Sequence, residues 1–214
     1  MQTRALFPVI ATLFAALAFS TPAAAVSVFL NRDAFLAALT NSYTENFADI
    51  TTTRTGVTDA PQNFDGNGMS FSVNTQPTSN DLYTIVNGGT KWLTVNNPAN
   101  SLVFSLTSGN ITAIGGNFFL TDQAGDFLAG SIDILISGPD VDVGGGLSYS
   151  IPDVFVGYIF DTPITSMTVS RPAENNFNWI TAGYITVGQV PEPSTYALLA
   201  MSAAGALWWA RRRR

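Results

Sequence analysis

The stretch GMSFSVN, residues 68–74, sets Met69, Phe71 and Val73 on one side of an extended chain and Ser70, Ser72 and Asn74 on the other. SLVFSLT, residues 101–107, repeats the device with Leu102, Phe104 and Leu106. Successive side chains of a strand point to opposite faces, so a period of two predicts strands with one face in a core and one turned outward. Further strands are predicted at 26–30, 83–86, 92–95, 111–120, 131–136, 154–160, 164–169 and 179–187. Turn-forming clusters separate them: DGNG at 65–68, NGG at 87–89, SGN at 108–110 and SGPDVDVGGG at 137–146. Many short alternating strands punctuated in this way predict a mostly β fold, an antiparallel β-sandwich or jelly roll. One short helix is predicted over 32–39, with Asn31 as its cap and Phe35, Leu36 and Leu39 on one face. Residues 40–62, polar and rich in threonine, carry the weakest pattern.

Composition removes several function classes. The 214 residues include no cysteine and no histidine. There is therefore no disulfide framework, no thiol nucleophile, no imidazole base and no Cys/His zinc site. Charge is unevenly placed. Between residues 26 and 189 stand only Arg32, Arg54, Lys91 and Arg171 against every acid of the chain except Glu192, fourteen in all and a net charge of −10. Such a surface repels phosphate backbones, so no nucleic-acid partner is expected.

The two ends have a different character. At the start, Arg4 precedes an apolar run over 5–19, and Ala23-Ala24-Ala25 forms a small-residue cleavage site. That order predicts a signal peptide over 1–25, removed after Ala25 by signal peptidase once the secretion machinery has exported the chain. At the other end, VPEPS at 190–194 precedes an uncharged run, 196–210, and then Arg211, Arg212, Arg213 and Arg214. A transmembrane helix is predicted over about 195–210. Its 15 uncharged residues rise about 22 Å as a helix, short of the roughly 30 Å hydrocarbon core. Snorkelling by Arg211 and interfacial placement of Trp208 and Trp209 offset the difference. The arginines hold the C-terminus in the cytoplasm, so the span runs from outside to inside. Pro191-Glu192-Pro193 stands just outside, held extended by its two prolines.

The order Val-Pro-Glu-Pro-Ser, apolar helix, arginine cluster resembles the PEP-CTERM sorting signal. The resemblance covers the last 25 residues or so, 190–214, and implies that Pro191, Glu192 and Pro193 are recognised by exosortase, a membrane-embedded, cysteine-dependent transpeptidase-like enzyme of Gram-negative bacteria. It further implies a precursor anchored in the inner membrane and then passed to the cell surface, outer membrane or extracellular matrix, often in species that secrete exopolysaccharide. A weaker resemblance, carried by ITAIGGNFFL at 111–120 and NNFNWITAGYITVG at 175–188, is to the jelly-roll ectodomains borne on such tails. Relatives often place an acidic pair in the last strand. Here that place reads Ile180-Thr181-Ala182-Gly183.

Three kinds of chemistry remain for the exported domain, 26–189. Catalysis would need a carboxylate pair, drawn from Asp122, Asp126, Asp133, Asp140, Asp142 and Asp153, with Glu45 and Glu174 as the domain's glutamates. Most of these acids lie among glycines, where aspartate is ordinary turn chemistry, so the chain is not expected to be an enzyme. A Ca²⁺ ion would need several oxygens. Asp140 and Asp142 are the leading candidates, with Asp122 and Asp126 in TDQAGD and Asp65 and Asn67 in DGNG behind them. Sugar binding would use aromatics beside polar loops, among Trp92, Tyr149, Tyr158 and Trp179. The expected role is structural or adhesive in an exopolysaccharide or biofilm setting, with a carbohydrate-binding or calcium-dependent lectin-like module as the alternative and a surface hydrolase third.

Overall fold

The computed structural model describes residues 25–52, 56–77, 81–149, 154–172 and 178–190. Two antiparallel sheets face each other across a shared core. The larger contains β1 (Val26–Phe29), β2 (Asn41–Glu45), β3 (Val57–Asp59), β6 (Asp81–Asn87), β7 (Thr90–Val95), β9 (Ala113–Thr121), β10 (Phe127–Leu128), β13 (Phe155–Phe160) and β15 (Trp179–Gln189). The smaller runs in the order β12 (Val141–Tyr149), β11 (Gly130–Gly138), β14 (Ser166–Ser170), β8 (Ser101–Leu106), β5 (Met69–Gln76), β4 (Gln62–Gly66). A single helix, α1 (Arg32–Ala37), follows β1. The sandwich expected from the alternating stretches is present.

The smaller sheet is built as its sequence suggests. In β5, Met69, Phe71, Val73 and Thr75 are buried and the residues between them are half-buried. Beside it Leu102 and Phe104 of β8, Met167 and Val169 of β14, and Ile132, Ile134 and Ile136 of β11 complete one apolar face. The hairpin from β4 to β5 turns on Asn67 and Gly68, with φ of 53° and 75°. Two positive φ values in a two-residue loop make a turn whose twist matches that of the strands it joins, and Asn-Gly is the pair best suited to it.

The larger sheet is organised around β9 and β15. All nine residues of β9 are buried, so period-two alternation of burial is lost there. Ile114, Phe118 and Leu120 meet the smaller sheet together with Val156, Phe160, Ile180, Ala182, Ile185 and Val187. The other face of β9 is covered at one end by α1. Phe35 packs on Phe155 with ring centroids 5.3 Å apart, in a satellite cluster with Ala113. Asn31 caps the helix by accepting from the Ala34 N–H at 2.9 Å, and Leu36 and Leu39 lie against the same cluster. The helix ends at Ala37, slightly before the expected residue 39.

β15 pairs with β9 on one edge and with two strands in turn on the other. Thr181 and Ala182 pair with β7, whereas Ile185 to Gln189 pair with β2. The register against β9 shifts between Ala182 and Ile185, which places a bulge at Gly183-Tyr184. The bulge drives the Tyr184 carbonyl toward β9, where a Cβ on Gly116 would lie 2.5 Å from that oxygen. Gly116 is thus a spacing requirement of this crossing, whereas Gly115 makes room for β13, where an added Cβ would lie 2.8 Å from Gly157 Cα.

One expectation needs correction. SGPDVDVGGG is not an extended turn region. Its central Pro139-Asp140 pair forms a tight turn, and Val141 onward, including Gly144 to Gly146, is strand β12 paired with β11. Residues 40–62, where the sequence pattern is weakest, contain β2, β3 and the first residue of β4. β2 is polar because it lies at the rim, with no fully buried residue.

Two glycines on different strands respond oppositely to an added methyl. Gly116→Ala meets backbone, which cannot move aside as a side-chain end can, and is expected to destabilise the domain by about 1–3 kcal/mol. Gly145→Ala, with no atom within 4 Å of the added methyl, should stay within about 0.5 kcal/mol of the parent. Urea midpoints of the two variants measure the difference.

Candidate functional site

The ends of the domain are placed by β1 and β15. The Ala25 N–H donates to the Asp161 carboxylate at 3.2 Å, and Val26, the residue that follows the expected cleavage, pairs with Phe160. At the other end Gln189 still pairs with Asn41, and the Val190 N–H donates to Thr112 Oγ1 at 3.1 Å. The sorting-signal residues Pro191, Glu192 and Pro193, the residues Trp208, Trp209 and Arg211 to Arg214, and the signal segment before Ala25 lie outside the described residues. So do Asp153 and Glu174. Among the described residues no helix is long and apolar enough to cross a membrane.

A groove of about 360 Å³ opens on the outer face of the larger sheet, at the end where β15 begins. The register creates it. Trp179 pairs with Thr121, the last residue of β9, so the indole stands beside the turn that leads from β9 to β10. Thr181 pairs with Thr94, and Thr94 with Tyr83, extending the same face across β7 and β6. Tyr83, Ile85 and Thr94 line the groove, with Asn96 at the end of β7 and residues 122–125 overhanging.

The overhang is held by Asp122. Its Oδ1 accepts from the Ala124 N–H at 2.8 Å and the Asp126 N–H at 2.9 Å, and its own N–H donates to the Asp126 carbonyl at 2.9 Å. Gly125 sits buried at a φ of +87°, where a Cβ would come 2.5 Å from Ile85 Cγ2. Only glycine lets the turn fold down onto β6. Beneath, a threonine row ties three strands together. Thr121 and Thr181 share a hydroxyl hydrogen bond at 2.9 Å, Thr181 donates to Thr94 at 3.1 Å, and Thr94 donates to the Ile180 carbonyl at 2.7 Å.

Of the aromatic candidates, the groove takes Trp179. Its ring is half-buried and its N–H points at the Asn96 carbonyl at 3.4 Å. Trp92 instead packs edge-on against Phe119 with centroids 4.8 Å apart, and Tyr158 is buried in the core. Tyr158 is thus a packing residue, while Trp92 is half-buried with its ring against Phe119. Tyr83, Thr94, Asn96 and Gln123 join the groove without any spacing signal in the sequence that marks them.

The acid candidates do not converge. Asp140 lies in the tight turn between β11 and β12, and Asp142 on β12 accepts from the Ser137 hydroxyl at 3.4 Å. Two exposed carboxylates leave most of the six to eight oxygen positions of a calcium ion unfilled, so they do not fit that ion. Asp122 braces its own turn. Asn67 donates to the Ser42 carbonyl at 2.6 Å and so ties the β4–β5 turn to β2. Among the described residues no group of three or more Asp, Glu, His or Cys side chains gathers in a way that could hold a metal ion.

A second cavity, about 410 Å³, is lined by Glu45, Asp49 and Asp59 among others. Glu45 is committed to structure: Oε2 accepts from the Tyr43 hydroxyl and Oε1 from the Phe47 N–H, each at 2.6 Å. Phe47, at a φ of 62°, is buried beneath this brace. Burial, then the hydrogen bond to Glu45 and the carboxylate charges nearby, hold the Tyr43 hydroxyl well above its ordinary value.

Residues 189–214 match the family model of the PEP-CTERM protein-sorting motif, and the chain carries that motif at its C-terminus. The motif marks an exported surface protein sorted by exosortase, with a membrane-anchored stage. No curated protein matches the chain. Solved structures with some similarity include a two-domain protein of unknown function from Bacteroides fragilis, at 16% identity and a TM-score of 0.34, covering 63% of this chain and 48% of that one. Another is an isomalto-dextranase of Arthrobacter globiformis T6 complexed with panose, at 13% identity and a TM-score of 0.34, covering 77% and 35%. A third is the K2 cleaved adhesin domain of Lys-gingipain, at 14% identity and a TM-score of 0.27, covering 70% and 100%. The chain thus spans less than half the length of the first two. Likenesses this slight define neither a shared fold nor a shared ligand.

The Tyr43–Glu45 brace has a pH consequence. An unfolded tyrosine ionises near pH 10, whereas folded Tyr43 does so higher, so its stabilising effect is complete below about pH 10 and is lost as pH rises toward the folded value. Tyr43→Phe should cost on the order of 1 kcal/mol at neutral pH, for a bond partly screened by solvent. It should also flatten the loss of stability above pH 10. Thermal midpoints of the two proteins from pH 7 to 11 check both effects.

Proposed function

We propose that the β-sandwich is a non-catalytic structural or adhesive domain of the cell surface or extracellular matrix, in an exopolysaccharide or biofilm setting. In this reading the signal peptide is cut after Ala25 by signal peptidase. A helix over about 195–210 holds the precursor in the inner membrane, and exosortase recognises Pro191, Glu192 and Pro193 before the domain passes outward. The observation that carries it is the junction: Gln189 is at once the last paired residue of the central strand β15 and the first residue of the sorting motif. The domain and its sorting signal are therefore one continuous run of chain, with no spacer between fold and handle.

The absence of catalysis has its own support. Without histidine or cysteine, hydrolysis would need two carboxylates about a bound substrate. Among the described residues that line the groove beside Trp179, Asp122 is the one acid, and its Oδ1 is occupied by backbone N–H groups.

Intact-mass measurement of the protein from cells with and without exosortase tests the reading. The expected result is loss of the residues beyond the Pro-Glu-Pro segment only where the enzyme is present. Replacing Pro191, Glu192 and Pro193 together by alanine should abolish that loss and leave the precursor in the inner-membrane fraction. An unchanged C-terminus in both strains would make the tail a plain anchor.

A further inference from the structure

We propose that the groove at the start of β15 binds neutral saccharide, about one or two pyranose rings at a time, with Trp179 as the stacking platform. This rests on the adhesive reading above and supplies its ligand.

The lining has the composition of a sugar site. Small-molecule sites occupy about 300–1,000 Å³ and combine aromatic surface with a few placed polar groups. This groove, at about 360 Å³, offers the half-buried indole of Trp179 and the ring of Tyr83, together with Asn96, Asp122 and Gln123. A pyranose presents just that division, with C–H faces that lie on an aromatic ring and hydroxyls at its edge for amides and a carboxylate. Asp122 Oδ1 is fixed by two backbone N–H groups, while Oδ2 accepts no hydrogen bond from the described residues. The oxygen is therefore both oriented and available.

Charge decides between ligand classes. Among the described residues the lining includes no lysine or arginine and one carboxylate, within a domain of net charge −10. Phosphorylated, sulfated or uronate-rich ligands would meet only repulsion there. Neutral hydroxyl-rich ligands meet none.

Placement points the same way. β15 begins at the groove with Trp179 and ends eleven residues later at Gln189, where the sorting motif starts. At a rise of about 3.3 Å per residue the groove stands about 33 Å from the tail, at the far end of the strand. It therefore lies at the end of β15 opposite the tail.

The test is calorimetric titration of the full-length protein in a non-glycosidic detergent. Malto-, xylo- and N-acetylated chito-oligosaccharides serve as neutral probes, alginate oligomers as the anionic one and deacetylated chitosan oligomers as the cationic one. At least one neutral oligosaccharide is expected to bind with a Kd on the order of 1 mM or tighter. Trp179→Ala should weaken it at least about tenfold, Trp179→Phe should retain most of it, and Gln123→Ala should weaken it by about threefold. Gln123 is exposed and makes no side-chain hydrogen bond among the described residues, so its variant decides the matter if Trp179→Ala fails to fold. The proposal is overturned if no neutral oligosaccharide binds, if only a charged one does, or if the variants leave affinity unchanged. Protease accessibility on whole cells, with cohesion of the deletion strain, separates the two readings. Intact delivery and cohesion without saccharide binding would remove the ligand and leave the adhesive role standing.

Discussion

The molecule depends on how one strand, β15, is accommodated. It must pair with β9 along its whole length while exchanging β7 for β2 on its other edge. A regular strand cannot serve neighbours that approach from two directions. The bulge at Gly183-Tyr184 supplies the change of course, and Gly116 on β9 supplies the room for it. From that accommodation follow the forked larger sheet, the position of Trp179 beside the β9–β10 turn, and the exit of the chain at Gln189. The remainder of the fold is conventional packing: apolar inner faces of two sheets, a helix closing one outer corner, and hydroxyl bonds joining strands where the outer face is buried.

The elements of this arrangement that can be read from sequence are those where one face is dry and the other wet. β5 and β8 fall in that class, and alternation locates them. β9 and β15 are marked by apolar content, but alternation says nothing of them because both of their faces are covered. β2 and β12 escape a sequence reading for opposite reasons. β2 has too few apolar residues to show a pattern, and β12 carries Gly144-Gly145-Gly146, a run with turn chemistry that lies in an edge strand paired on one side. The bulge has no signature that a single sequence reveals, although Gly116 of β9 is its complement.

The groove is legible in the sequence as pieces and not as a whole. Trp179 stands out as an aromatic near polar residues, and Asp122 as an acid in a glycine-bearing turn. Nothing in their spacing joins them, since they are far apart along the chain. What brings them together is the register that sets Trp179 opposite Thr121. The tail is the reverse case. Its information is local and sequential, so residues 189–214 identify themselves without reference to a fold.

In the proposed reading the protein is held at one end and binds saccharide at the other, and both ends of that load path fall on the same strand, β15. Pull on Gln189 is transmitted along β15 toward Trp179, past paired residues of β9 running antiparallel beside it. Between those two points the tension runs through the covalent backbone of β15, so the perpendicular hydrogen bonds to β9, β7 and β2 keep the strand in place without standing in the line of load.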